Sequence, residues 1–187
     1  MRKPDRESVI GALWGFAEAT LFFMVPDVWL GWIALTSLKR ALIATLAALV
    51  GAVAGGLLVA GVCAYVEPAT SFRAMDTVPA VSPAMIRDVD ADVAERGSRA
   101  IVDGPVRGIP YKLYARAEGI QGGPDVAFVF WSILGRAYRW VILIPLIWLV
   151  SHLARKWLHF TDRQARGVYI VGWCLFYAWY LTTVAWS

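Results

Sequence analysis

Cysteine and histidine are scarce in this chain: Cys63, Cys174, His152 and His159 are the only ones in 187 residues. The cysteines have no CxxC spacing and no histidine nearby, which argues against a disulfide framework or a structural metal site. Each reads as a small packing residue. Charge is also thin, at 17% of residues against about 25% in ordinary soluble domains. Hydrophobic residues fill the gap, at 59% with ten tryptophans and a mean hydropathy of +0.57. That composition indicates an integral membrane protein. A hydrocarbon core of about 30 Å takes roughly 20 apolar residues per crossing helix, so the chain has room for a few spans in a single domain, 1–187. The net charge of +4 and pI near 9.3 come from Lys and Arg beside helix ends. They read as topology signals and lipid headgroup contacts rather than a nucleic-acid surface.

Three stretches cross unbroken: 41–65, 126–150 and 168–186. Tyr65, Trp148, Trp157, Tyr169 and Trp186 near their ends suit the interfacial belt. The segment 66–99, rich in Pro and Asp, belongs in water and predicts a short amphipathic helix over 84–94. A second polar connector occupies 151–167, where His152 and His159, seven apart, read as headgroup-level residues on one helix face. The start, "MRKPDRESVI", resembles a signal-peptide n-region. The apolar run after it carries Glu18 and Pro26 without a small-residue cleavage site, so it is expected to be retained.

That opening run, "LFFMVPDVWLGWIAL", holds a helix breaker and an acid, Pro26 and Asp27. The eleven residues 28–38 reach roughly 16 Å, about half the hydrocarbon core. Two half-helices meeting at a buried tip, a re-entrant hairpin over about 9–38, fit this pattern; one kinked helix over 9–38 fits it equally on these grounds. A second stretch, 100–124, repeats the theme with Pro110 followed by ionisable residues and closed by Gly122, Gly123 and Pro124. Pro26 precedes Gly51, and Pro110 precedes Gly135, by the same 25 residues. The expected fold is therefore all-α and membrane-integral. Two opposed re-entrant hairpins and about three transmembrane helices form an inverted repeat, an architecture of transporters. Arg2, Lys3, Arg6, Lys39, Arg40, Arg155, Lys156, Arg163 and Arg166 fall on one side and Arg73, Arg87, Arg96 and Arg99 on the other. By the positive-inside rule the N-terminus is cytoplasmic and the C-terminus outside.

At "GFAEATLFFMVPDVWLGWIAL", "GIPYKLYARAEGI" and "SILGRAYRW", the chain resembles the DedA family, also called the VTT or SNARE-associated domain family, in particular its YqaA-like branch. The resemblance covers most of the chain. Glu18, Pro26 and Asp27 resemble the first hairpin of that family; Pro110, Tyr111, Lys112 and Gly119 the second; Gly135, Arg136 and Arg139 the helix after it. It implies a bundle with two opposed hairpins in the bacterial cytoplasmic (inner) membrane and a role in moving lipids, either undecaprenyl phosphate or phospholipids. Two departures stand out. Arg116 and Glu118 occupy positions where small or apolar residues are expected, and Lys112 stands where many relatives have an arginine.

Glu18 and Asp27 at bilayer depth cost several kcal/mol unless paired, hydrated or protonated. They are candidates for proton coupling, with structural ion pairs to Lys112 or Arg136 as the competing role. Lys112, Arg136 and Arg139, with Tyr111, are candidates for binding a lipid phosphate, since arginine offers a planar fork to paired oxygens and lysine a point charge. The competing role for the arginines is snorkelling or pairing with the acids. Tyr111 and Tyr114 offer hydroxyls, against interfacial packing. Pro26 and Pro110 mark the hairpin breaks. Gly11, Gly15, Gly51 and Gly55 read as close-packing positions. The expected activity is a lipid translocase of flippase or scramblase type, its proton coupling left open, acting on membrane lipids with no cofactor and no metal. The alternative is a structural or assembly protein of the envelope, and a homo-oligomer suits either. An enzyme is not expected, because neither histidine lies near the hairpins in sequence to serve as proton donor.

Overall fold

The computed structural model describes residues 5–183, and these form helices and connections with no strand among them. Arg2, Lys3 and Trp186 lie outside the described residues. Asp5 N-caps α1 (Arg6–Thr20), accepting from the Ser8 backbone N–H at 2.8 Å. Phe22 to Val25 form an irregular tip that ends at Pro26, the N-cap of α2 (Asp27–Ala34). Ser37 caps α3 (Leu38–Cys63), which spans about 39 Å at 1.5 Å per residue.

Helices α1 and α3 run parallel, side by side. Gly11 and Gly15 of α1 face Ala44 and Ala48 of α3, while Gly51 and Gly55 of α3 face Ala12 and Phe16 of α1. A Cβ at Gly15 or Gly51 would run into a backbone carbonyl, so these glycines set the helix separation. Two parallel neighbours require a return between them, and α2 supplies it. The ion pair Glu7–Arg40 at 3.0 Å and the bond from Trp29 Nε1 to the Glu7 carbonyl at 3.1 Å hold the starts of α1 and α3 at one end.

At the far end lie α4 (Pro68–Asp76) and α5 (Pro83–Arg96), followed by a 3₁₀ segment (Gly97–Asp103) and α6 (Gly104–Arg107). The expected amphipathic helix over 84–94 is α5; α4 was not anticipated. Gly108 closes α6 with φ +70°, a conformation that glycine adopts without a Cβ penalty. Ile109 and Pro110 then lead into α7 (Tyr111–Ile120). Asp125 caps α8 (Val126–Leu158), which runs antiparallel to α3: Gly135 lies against Ile101, and Ser151 Oγ donates to the Leu35 carbonyl at 3.1 Å. Only His159 to Thr161 separate α8 from α9 (Asp162–Thr183).

Two sequence expectations are corrected here. Residues 151–158 continue α8 instead of forming a polar connector, because this stretch contains no Pro or Gly, and His159 ends the helix in the left-handed region at φ 53°. His152 is inside the helix and stacked on Trp148, while His159 lies outside it as the C-cap. In addition, the first arm of the second stretch is a 3₁₀ segment plus one α-turn, not a half-helix. Gly97, Gly104 and Pro105 interrupt any longer α-helical register.

Among the described residues, two helices are long and apolar enough to cross a membrane, α3 and α8. The third expected span falls in α9, where Tyr, Trp and a charged first turn lower the hydropathy. Helix α3 buries its small residues (Ala41, Ala44, Ala48, Gly51, Ala52) and exposes its large ones (Ile43, Leu46, Val50, Leu58, Val62). In water this distribution would be inside out. Next to lipid it allows close backbone packing and leaves the large apolar groups in hydrocarbon.

Candidate functional site

Pro26 and Pro110, far apart in sequence, line one cavity of about 310 Å³. Phe23, Val25 and Pro26 of the first tip line it together with Gly108–Pro110, and residues of α8 and α9 complete the wall. Glu18, at the end of α1, and Asp27, in the first turn of α2, line it with side chains that are 8% and 1% exposed. Helix α8 brings Arg136 and Arg139, one turn apart on one face, to meet them.

Arg136 Nη2 donates to Glu18 Oε2 at 2.6 Å. Its guanidinium rests 4.2 Å from the Tyr111 ring centroid and 5.8 Å from that of Trp140, and its Nε is buried without a partner. Arg139 grips Asp27 with both Nε, at 3.1 Å from Oδ1, and Nη2, in the fork geometry that favours carboxylate and phosphate. Asp27 is therefore paired with Arg139, not with Lys112 or Arg136, the partners expected from the sequence. The Tyr111 hydroxyl donates to Ser132 Oγ at 2.7 Å, and its ring stacks on Phe128.

Lys112 is the member of the expected phosphate set that the structure separates from the others. It is 1% exposed, does not line the cavity, and donates from Nζ to the Phe22 carbonyl at 2.7 Å. There a cation caps the carbonyl end of α1, a favourable place for positive charge. Lys112 thus ties the second proline break to the first tip. The tip is fastened further by Trp14 Nε1, which donates to the Met24 carbonyl at 3.0 Å, and by the Val25 N–H, which donates to the Tyr177 hydroxyl at 3.0 Å. Tyr177, Tyr180 and Trp173 of α9 also line the cavity, and the sequence reading had given none of them a role there. The aromatic spacing 169, 173, 177, 180 along one helix was the available signal.

Arg116 and Glu118, the charged departures near the end of the second stretch, have partners. Arg116, 2% exposed, bonds Asp90 at 2.6 Å, Ser71 Oγ at 3.0 Å and the Pro68 carbonyl at 3.2 Å, with the Phe72 ring 5.7 Å away. Glu118 accepts from Ser98 Oγ at 2.8 Å. Both side chains fasten the 66–99 segment onto α7, so their charge is directed away from the cavity. Comparison of the chain with family models, curated proteins and solved structures found no match.

Proposed function

We propose that the protein is a membrane lipid translocase of the DedA/VTT type, moving a phosphate-bearing lipid across the bacterial cytoplasmic membrane, with the N-terminus cytoplasmic. The supporting observation is that Pro26 and Pro110, each beside a helix break, border one cavity containing two arginine–carboxylate pairs. In this reading each tip with its following helix is one unit of an inverted repeat. Gly51 of α3 packs on α1 and Gly135 of α8 packs on the 3₁₀ segment, so in both units the glycine 25 residues past the proline meets the first arm.

The pairs act as exchangeable locks. An entering phosphate takes a guanidinium from its carboxylate, and a buried carboxylate without its cation is costly unless water, a proton or a new cation meets it. The free Nε of Arg136 adds a donor for a phosphate oxygen. Reconstitution with fluorescent lipid at two pH values tests this. Losing one charge-assisted contact costs about 1.5–3 kcal/mol, so Arg136→Gln lowers lipid affinity about ten- to a hundredfold. Glu18→Gln and Asp27→Asn retain lipid binding and lose the pH response of transport. Because Arg136→Gln alone strands Glu18, the double variant Glu18→Gln/Arg136→Gln accompanies it, with thermal unfolding in detergent as the folding control.

A second reading has its own support. Both arginines are already matched by acids, as a structural or assembly protein requires. Translocation no faster than in protein-free vesicles, with the protein folded, would establish that reading instead; wild-type translocation in all the variants would remove the two ion pairs from the mechanism.

A further inference from the structure

The polar cavity adjoins a second one. On the other face of the first tip, α1, α2 and α9 enclose a groove of about 520 Å³ walled by Trp14, Val28, Trp29, Trp32, Ile170 and Cys174 among others. Its apolar character follows from where the polar atoms of its aromatic residues are committed. Trp14 Nε1 donates to the Met24 carbonyl and Trp29 Nε1 to the Glu7 carbonyl. The Tyr169 hydroxyl donates to the carbonyls of Asp27 and Val28, both at 3.0 Å. Ring faces and methyl groups are left to form the wall. The groove opens outward, with Ile170 49% exposed and Cys174 exposed.

Phe23, Trp173 and Tyr177 line both the groove and the polar cavity. They form a neck between a compartment holding two guanidinium groups and one holding almost only hydrocarbon surface. Charge at one end and apolar wall at the other complement an amphiphile. We propose that the groove binds the hydrocarbon chain of the lipid whose phosphate enters the polar cavity, the chain leaving sideways between the 21–26 tip and α9. This deepens the translocase reading and rests on it for the head-group position. It assigns the chain site to α1, α2 and α9, away from the 66–99 segment.

Cys174 is a built-in reporter. With Cys63→Ala leaving one thiol, the alkylation rate of Cys174 by N-ethylmaleimide is measured on the purified full chain in maltoside micelles, with farnesyl phosphate, farnesol or inorganic phosphate added. Farnesyl phosphate is expected to slow alkylation saturably, by about fivefold or more at concentrations well above its Kd, while farnesol and inorganic phosphate at equal concentration leave it within about twofold. Ile170→Trp fills the groove without touching either arginine and is expected to raise the half-protecting concentration about tenfold. Glu18→Gln/Arg136→Gln removes the advantage of the phosphate over the alcohol.

Equal protection by farnesol and farnesyl phosphate would overturn the proposal, since the groove would then be a general hydrocarbon surface. So would no protection by any probe, or protection that follows protein concentration and ignores added lipid, which marks contact between copies. Protection without translocation in the reconstituted assay would retain the chain site and reject transport, so the two failures are distinguishable.

Discussion

Asp27 and Arg139 form one ion pair with unequal burial: the Asp27 side chain is 1% exposed and the Arg139 side chain 31%. Removing either partner is therefore not symmetric. Arg139→Gln strands a fully buried carboxylate, and breaking a buried pair in this way costs about 3–5 kcal/mol. Asp27→Asn strands only a guanidinium that already reaches the surroundings. The expected result is a clearly larger fall in unfolding temperature for Arg139→Gln than for Asp27→Asn in the same detergent; equal falls would mean that the carboxylate is hydrated or protonated. Glu18 and Arg136, 8% and 9% exposed, lack this asymmetry, so their single variants are expected to fall together.

Two elements respond to different kinds of damage. The contact between α1 and α3 is backbone on backbone, and Gly51→Leu inserts a side chain where the Ala12 carbonyl lies. Overpacking of this kind costs about 1–3 kcal/mol. Gly61→Leu on the same helix meets nothing within 4 Å and is expected to keep the wild-type unfolding temperature, which separates packing from any general effect of lost glycine. The α4–α5 cap depends on Arg116, whose four partners are Asp90, Ser71, Pro68 and Phe72. Arg116→Met keeps much of the apolar stem and removes the three hydrogen bonds. Amide exchange measured by mass spectrometry is expected to accelerate over 68–96 and stay unchanged over α1 and α3, because local opening follows the contacts that hold each unit.

For the molecule as a whole, the translocase reading has a topological consequence. Arg6, Lys39 and Arg155 belong to one end of the bundle, tied by Glu7–Arg40 and by Arg155 Nη2 donating to the Leu35 carbonyl at 2.5 Å, while α4 and α5 lie at the other. In a chain with Cys63 and Cys174 replaced, cysteines at Arg6 and Lys39 are expected to react with an impermeant maleimide from the same membrane face. A cysteine at Glu67 is expected to react from the opposite face. Labelling of positions 6 and 39 from opposite faces would restore the single kinked helix over 9–38 and remove the first hairpin.

Periodicity, hydropathy and breakers act over a few residues, and what depends on them was legible in the chain: helix throughout, the interruption at Pro26, the break at Pro110, the helix over 84–94 and the close-packing glycines. Glu18, Asp27, Arg136 and Arg139 stood out for a similar reason, since a charge within an apolar run is costly unless something meets it. Which group meets which was not legible. Pairing Asp27 with Arg139 takes a partner 112 residues away, and moving Lys112 from the cavity to the Phe22 carbonyl takes a carbonyl 90 residues away. The charged residues Arg116 and Glu118 looked anomalous until Asp90 and Ser98 were brought beside them. Hydrogen bonds and ion pairs act over about 3 Å, so their partners are decided only when α7 packs on α5 and the first tip, and α8 closes against α1 and α2.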